Sequence, residues 1–180
     1  MIDRLPISIL LLITFLVSFS LLSEEMIIGR ESISPGIDIV FEAAPKDIVF
    51  PLDSFLSESE TNIHIEMLAN WSEDAPEGSP VGGFIAYLNV FAIISNDLGD
   101  SLKVNLSPHL NLSDNFHYAQ NIKLPGSIDD TYEITFEIYP PKDTLGIHYD
   151  WKNSIGSFLP VNKFTYKNLN FKKISLMTRR

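Results

Sequence analysis

Tyr132 to Tyr139 reads YEITFEIY, with Tyr132, Ile134, Phe136 and Ile138 alternating against Glu133, Thr135 and Glu137. Successive side chains of an extended chain point to opposite faces, so this period of two predicts a strand with one apolar and one solvated face. Similar segments recur along the chain: IDIVFEA, DIVF, NIHIEML, GGFIAYLNVFAIIS, LKVNL, FHYAQNIKL and KFTYKNLNF. Each is rich in β-branched and aromatic residues and is bounded by Gly, Pro, Asn, Asp or Ser. Beyond residue 23 no stretch keeps apolar residues at helical spacing for three turns, which argues against a parallel α/β sheet. About seven or eight such strands in roughly 150 residues predict an all-β fold, an immunoglobulin-like antiparallel β-sandwich over residues 36–171.

The first residues follow a different rule. Arg4 precedes ISILLLITFLVSFSLL, from Ile7 to Leu22, a run of the length expected for a secretory h-region and marginal for spanning a bilayer. Residues 1–23 are therefore read as a signal peptide or an N-terminal membrane anchor, and the remainder as an exported domain. SEEMIIGRESISPG reads as a polar lead-in to that domain, Ser72 to Gly83 as an acidic surface loop, and KKISLMTRR as a basic end that frays.

The 180 residues suffice for one core, and the net charge of −10 is spread along the chain, so a nucleic-acid partner is not expected. There are no cysteines, which removes disulfides, thiolate metal ligands and cysteine nucleophiles together. A phosphate-cradling glycine loop, a helical His-Glu-x-x-His and a nucleophile elbow are also missing, and beyond Glu66 no general acid or base stands out. The chain is read as not being an enzyme. Any bound metal must be held by nitrogen, oxygen or thioether.

The chain has four histidines, His64, His109, His117 and His148. In NIHIEM the strand period sends His64 and Glu66 to one face and Ile63, Ile65 and Met67 to the other. His117 opens a second predicted strand, and His148 follows the turn-forming PPKDTLG. Imidazoles with a carboxylate suit zinc, copper or iron, but these separations match no local metal motif, and scattered surface histidines remain the plain alternative. If His117 faces a site, Tyr118 should face the core.

In order, NIHIE, GGFIAYLNV, LSDNFHYAQNIKL, YEITFEIYPP and GIHYDWKNSIGSFLPVNKFTY resemble the periplasmic iron-transport-associated proteins, a family that includes pathogen membrane antigens. The likeness runs from about Gly36 to Phe171, and its most specific pieces are His117-Tyr118 with Asn121 and the segment from His148 to Phe158. It implies an immunoglobulin-like homodimer that binds a transition metal, copper or iron, beside an inner-membrane iron permease. It also implies metal-ligand positions at His64, Glu66, His117 and His148. Where the family carries a methionine ligand this chain has Leu110. Loss of a soft sulfur should reduce preference for Cu(I) and leave Cu(II), zinc, manganese and Fe(II) more competitive. His109 adjoins that position, but a strand neighbour would face the other way unless the turn is irregular.

The function expected is capture of a metal ion and its hand-over for iron uptake, with binding that weakens below about pH 6.5 as histidines protonate. The alternative is an adhesin-like or antigenic β-sandwich that keeps the fold without the transport role.

Overall fold

The computed structural model describes residues 25–141, 145–156 and 160–179, so the apolar run read as a signal or anchor lies outside the described residues. Eight strands make up most of the fold: β1 (Met26–Ile33), β2 (Ile37–Ala44), β3 (Ile63–Trp71), β4 (Asn89–Asn96), β5 (Ser101–Leu110), β6 (Phe116–Ile122), β7 (Tyr132–Tyr139) and β8 (Asn162–Leu169). Two short helices, α1 (Tyr149–Ile155) and α2 (Lys172–Ser175), flank β8. Among the described residues no helix is long and apolar enough to cross a membrane.

All paired strands are antiparallel, in the order β1-β2-β3-β6-β5-β4-β7-β8. β5 is the joint. Its first part, Ser101 to Leu106, pairs with β4, and its last part, Ser107 to Leu110, pairs with β6. A strand that changes partners in this way lets one sheet fold over on itself and enclose a core between two layers. Phe41 of β2 stacks on Phe136 of β7 with ring centroids 4.0 Å apart, and Tyr166 of β8 packs on Phe41 at 5.8 Å. The result is an all-β, nearly closed antiparallel barrel. The strand order establishes that architecture without singling out the immunoglobulin arrangement.

The outer strands meet through a glycine. A Cβ at Gly29 of β1 would overlap the ring of Tyr166, and the Tyr166 hydroxyl donates to Glu31 Oε1 at 2.8 Å. The segment expected to be a polar lead-in is thus the strand that brings β1 against β8. Its polar residues hid it, because an edge strand needs only part of one face to be apolar.

In β3 the alternation is complete: Ile63, Ile65, Met67 and Ala69 are buried in the core. Tyr118 of β6 lies beside them, its hydroxyl donating to the Ile85 carbonyl at 2.6 Å and accepting from the Leu88 amide at 2.9 Å. Tyr118 therefore faces the core as expected. DIVF forms no strand. Pro45 and Pro51 flank it, removing backbone donors at both ends, and it belongs instead to a long loop between β2 and β3. That loop lies over the outer face of β3, β6 and β5, where a sheet face would otherwise meet water.

Candidate metal centre

The outer face gathers polar residues from adjacent strands. Antiparallel pairing sets Glu42 opposite Glu66, His64 opposite Asn121, and Glu66 opposite Ala119. Directly paired residues share a face, and His117 lies two residues from Ala119, so His117 joins the same face. The β5–β6 turn then fixes the fourth strand. The Asp114 amide donates to Asn111 Oδ1 at 2.7 Å, the Asn111 amide donates to the Asn115 carbonyl at 3.2 Å, and Asn115 takes a positive φ of 62° that asparagine tolerates. This turn sets His109 directly opposite His117.

Three imidazoles therefore converge. His64 and His109 have ring centroids 5.3 Å apart, His109 and His117 6.0 Å, and His64 and His117 6.3 Å. Each can offer one ring nitrogen such that the three nitrogens lie within 4.8 Å of one another. Tetrahedral coordination by imidazoles needs nitrogens roughly 3.3 Å apart, so modest side-chain rotation would close the set on an ion.

Hydrogen bonds orient two of the rings. Asn121 Nδ2 donates to the carbonyls of Asp47 and Leu56, both at 2.9 Å, which leaves Asn121 Oδ1 to accept from His64 Nδ1 at 2.7 Å. His64 Nε2 then carries a lone pair, 3.6 Å from Glu66 Oε1. His117 Nδ1 donates to the Asn115 carbonyl at 3.2 Å, which likewise leaves Nε2 as the acceptor nitrogen, 4.0 Å from Glu66 Oε1. Such outer bonds fix tautomer and direction, as they do around bound metals.

His117 Nε2 is one of several buried acceptors here without a hydrogen-bond donor. Neither oxygen of Glu66 accepts a hydrogen bond, nor do His109 Nε2 and His117 Nε2 have a partner, although all are buried. Buried polar atoms are ordinarily paired, and an unpaired one costs about 1–3 kcal/mol. A cation would satisfy these acceptors at once, so the residues fit a metal ion.

Burial also sets their charge. It holds His64 down to about 3 and His109 down to about 4, so these two stay neutral in mildly acidic solution, and it lowers His117 as well. Burial pushes Glu66 up to about 8 against the opposing pull of Arg179, and pushes Glu42 up to about 7 with help from Glu25 and Asp114. For His64 and His109 burial thus moves protonation below the pH of about 6.5 expected for ordinary histidines. At neutral pH an entering metal ion would compete with the proton on Glu66, while His64 and His109 are already in the ligating form.

His64, Glu66 and His117 are brought together as expected. His148 is not among them within the chain. It is exposed at the start of α1, whose Trp151 packs on Trp71 with centroids 5.5 Å apart. Trp71 and His64 stand at opposite ends of β3, about 23 Å apart along the strand. His148 instead lines a separate cleft with Trp71, Tyr87 and Ile147. His109 is the residue that strand reasoning set aside. Leu110 pairs with Phe116, is 64% exposed and reaches only the rim of the cleft of about 340 Å³ that His64, His109 and His117 line. The signal available was the hairpin register: counting back from His117 across the Asn111 to Asn115 turn pairs it with His109, not Leu110. Arg179 was also missed, since its segment was expected to fray.

Similar folds bind metal. The chain matches copper-reconstituted P19 from Campylobacter jejuni with 27% identity, 80% of this chain and 94% of that one covered, and a TM-score of 0.69. It also matches FetP of uropathogenic Escherichia coli strain F11, recombinantly expressed in the periplasm, with 22% identity, 81% and 95% coverage, and a TM-score of 0.68. At 22% the second likeness speaks for the fold alone. No curated protein sequence matches the chain. The model of a family described as Fe2+ transport protein matches residues 22–173, and with most of its length accounted for in this way, the chain belongs to that family.

Proposed function

We propose that the protein is an exported periplasmic metal-binding component of iron uptake, which captures a copper or iron ion and hands it to an inner-membrane permease. One observation carries this reading: three imidazoles and a carboxylate from three neighbouring strands converge, with both Glu66 oxygens and the Nε2 atoms of His109 and His117 buried and without a hydrogen-bond partner. Membership of the Fe2+ transport family and the copper bound by P19 support the choice of ions. His64, His109 and His117 supply neutral nitrogen donors, and Glu66 is the carboxylate positioned to ionise as the metal enters.

With Glu66 beside the shell as its counter-charge, three protein nitrogens leave a coordination position open, which suits release as well as capture. His148 fills it in a homodimer if a second copy presents its α1 end to the cleft. That end carries exposed Leu145, Ile147 and Tyr149, and the cleft rim carries exposed Phe50 and Leu110, so both surfaces offer apolar side chains for association.

Equilibrium dialysis followed by elemental analysis tests the reading. Wild type should retain one copper or zinc per site and gain thermal stability with it, while His64→Ala and His117→Ala stay folded and lose the metal. Equal metal content in all three, with no thermal shift, would favour an adhesin-like or antigenic sandwich instead. His148→Ala should weaken retention only under conditions where the protein is dimeric by light scattering.

A further inference from the structure

Arg179 lies six residues beyond the stretch shared with the family. It does not dangle. Phe171 and Ile174 are buried in the core, Lys46 Nζ donates to the Ser175 carbonyl at 3.4 Å, Thr178 bridges Lys46 in parallel, and the Arg179 amide donates to the Lys46 carbonyl at 3.4 Å. The chain after α2 is therefore a strap laid along the start of the β2–β3 loop, ending over the metal cleft.

At its end the guanidinium, 14% exposed, meets four carboxyl groups from four segments. Arg179 Nη2 donates to Glu25 Oε1 at 2.8 Å and to Asp114 Oδ2 at 3.3 Å, and stands 3.6 Å from Glu66 Oε1; Nη1 lies 4.0 Å from Asp47 Oδ2. Glu25, Glu42 and Glu66 form a group whose oxygens lie within 4.8 Å of one another, beside the imidazoles. The cleft thus has a nitrogen side, with unpartnered acceptors, and an oxygen side already holding a cation that belongs to the chain.

We propose that Arg179 is a specificity-determining residue of the metal centre: by occupying the carboxylate side it handicaps ions that need oxygen ligands, while leaving the imidazole side open to ions that prefer nitrogen. The inference rests on the function proposed above. An ion such as Zn2+ or Cu2+ takes its main ligands from His64, His109 and His117 without moving the strap. A harder ion such as Mn2+ relies on carboxylates, so it must displace the guanidinium, losing two hydrogen bonds and the docking of Thr178 and Arg179.

The test compares Mn2+ and Zn2+ affinities of the full chain, measured by competition with a metal-sensitive dye, in wild type, Arg179→Gln and Arg179→Lys. Removing the charge should tighten Mn2+ binding about tenfold and Zn2+ binding no more than about threefold, with lysine falling between. In wild type, saturating Mn2+ should speed amide hydrogen exchange at Thr178 and Arg179, whereas Zn2+ should not. Parallel changes for both ions, or weaker binding of both in Arg179→Gln, would overturn the proposal and make Arg179 a support for Glu66. That result would leave His64-dependent Zn2+ binding intact. Absence of His64-dependent binding of any ion would instead overturn the function itself, and this proposal with it.

Discussion

At the residue scale Glu66 is under electrostatic tension, a carboxyl with no hydrogen bond and no exposure, 3.6 Å from both His64 Nε2 and Arg179 Nη2. Its folded value of about 8 lies above the ordinary 4.5, so the folded chain holds a proton there that the unfolded chain releases. That contribution is complete below pH 4.5 and is lost as pH rises through 8. His64 has the opposite sign. Its value falls from 6.5 to about 3, so its contribution is complete above pH 6.5 and is lost as pH falls toward 3. Metal-free protein should therefore melt highest between about pH 4.5 and 6.5 in a calorimetric pH series, and Glu66→Gln should flatten the alkaline decline. Bound metal should move the optimum upward, because the ion replaces the Glu66 proton. A decline at high pH that persists unchanged in Glu66→Gln would assign it elsewhere.

At the scale of elements, the decisive device is the pair of connections that hold β3, β5 and β6 under their covering loop. Asn121 joins them: one side chain fixes His64 and tethers two carbonyls of the β2–β3 loop. Asn121→Ala should destabilise the fold by about 1–3 kcal/mol through the buried groups it orphans, read by urea unfolding. It should also weaken metal binding about 10–100-fold, as loss of an outer-shell partner does elsewhere. The sequence made much of this legible. The period of two in NIHIEM placed His64 and Glu66 on one face, and YEITFEIY marked β7 without ambiguity. His109 was obscured because its face depends on the register across a five-residue turn, a property of pairing between strands. Glu25 and Arg179 were obscured for a related reason: they reach the site only through contacts with residues far away in the chain.

For the whole molecule, closure of β1 on β8 depends on the absence of a side chain at Gly29, where Tyr166 lies over the backbone. Gly29→Ala should overpack that seam and cost about 1–3 kcal/mol in unfolding free energy without altering the imidazole set. The nearly closed barrel presents the imidazole cleft at one end of β3 and His148 in a separate cleft near the other. The nitrogen set available to one chain is thus His64, His109 and His117, and the account stands on that convergence. Anomalous diffraction from a crystal soaked in zinc or copper tests it most directly. One peak should appear between the Nε2 atoms of His64 and His117 and a ring nitrogen of His109, at about 2.0–2.1 Å from each. A peak bound by His148 without these three, or no peak in the cleft at full metal loading, would contradict it.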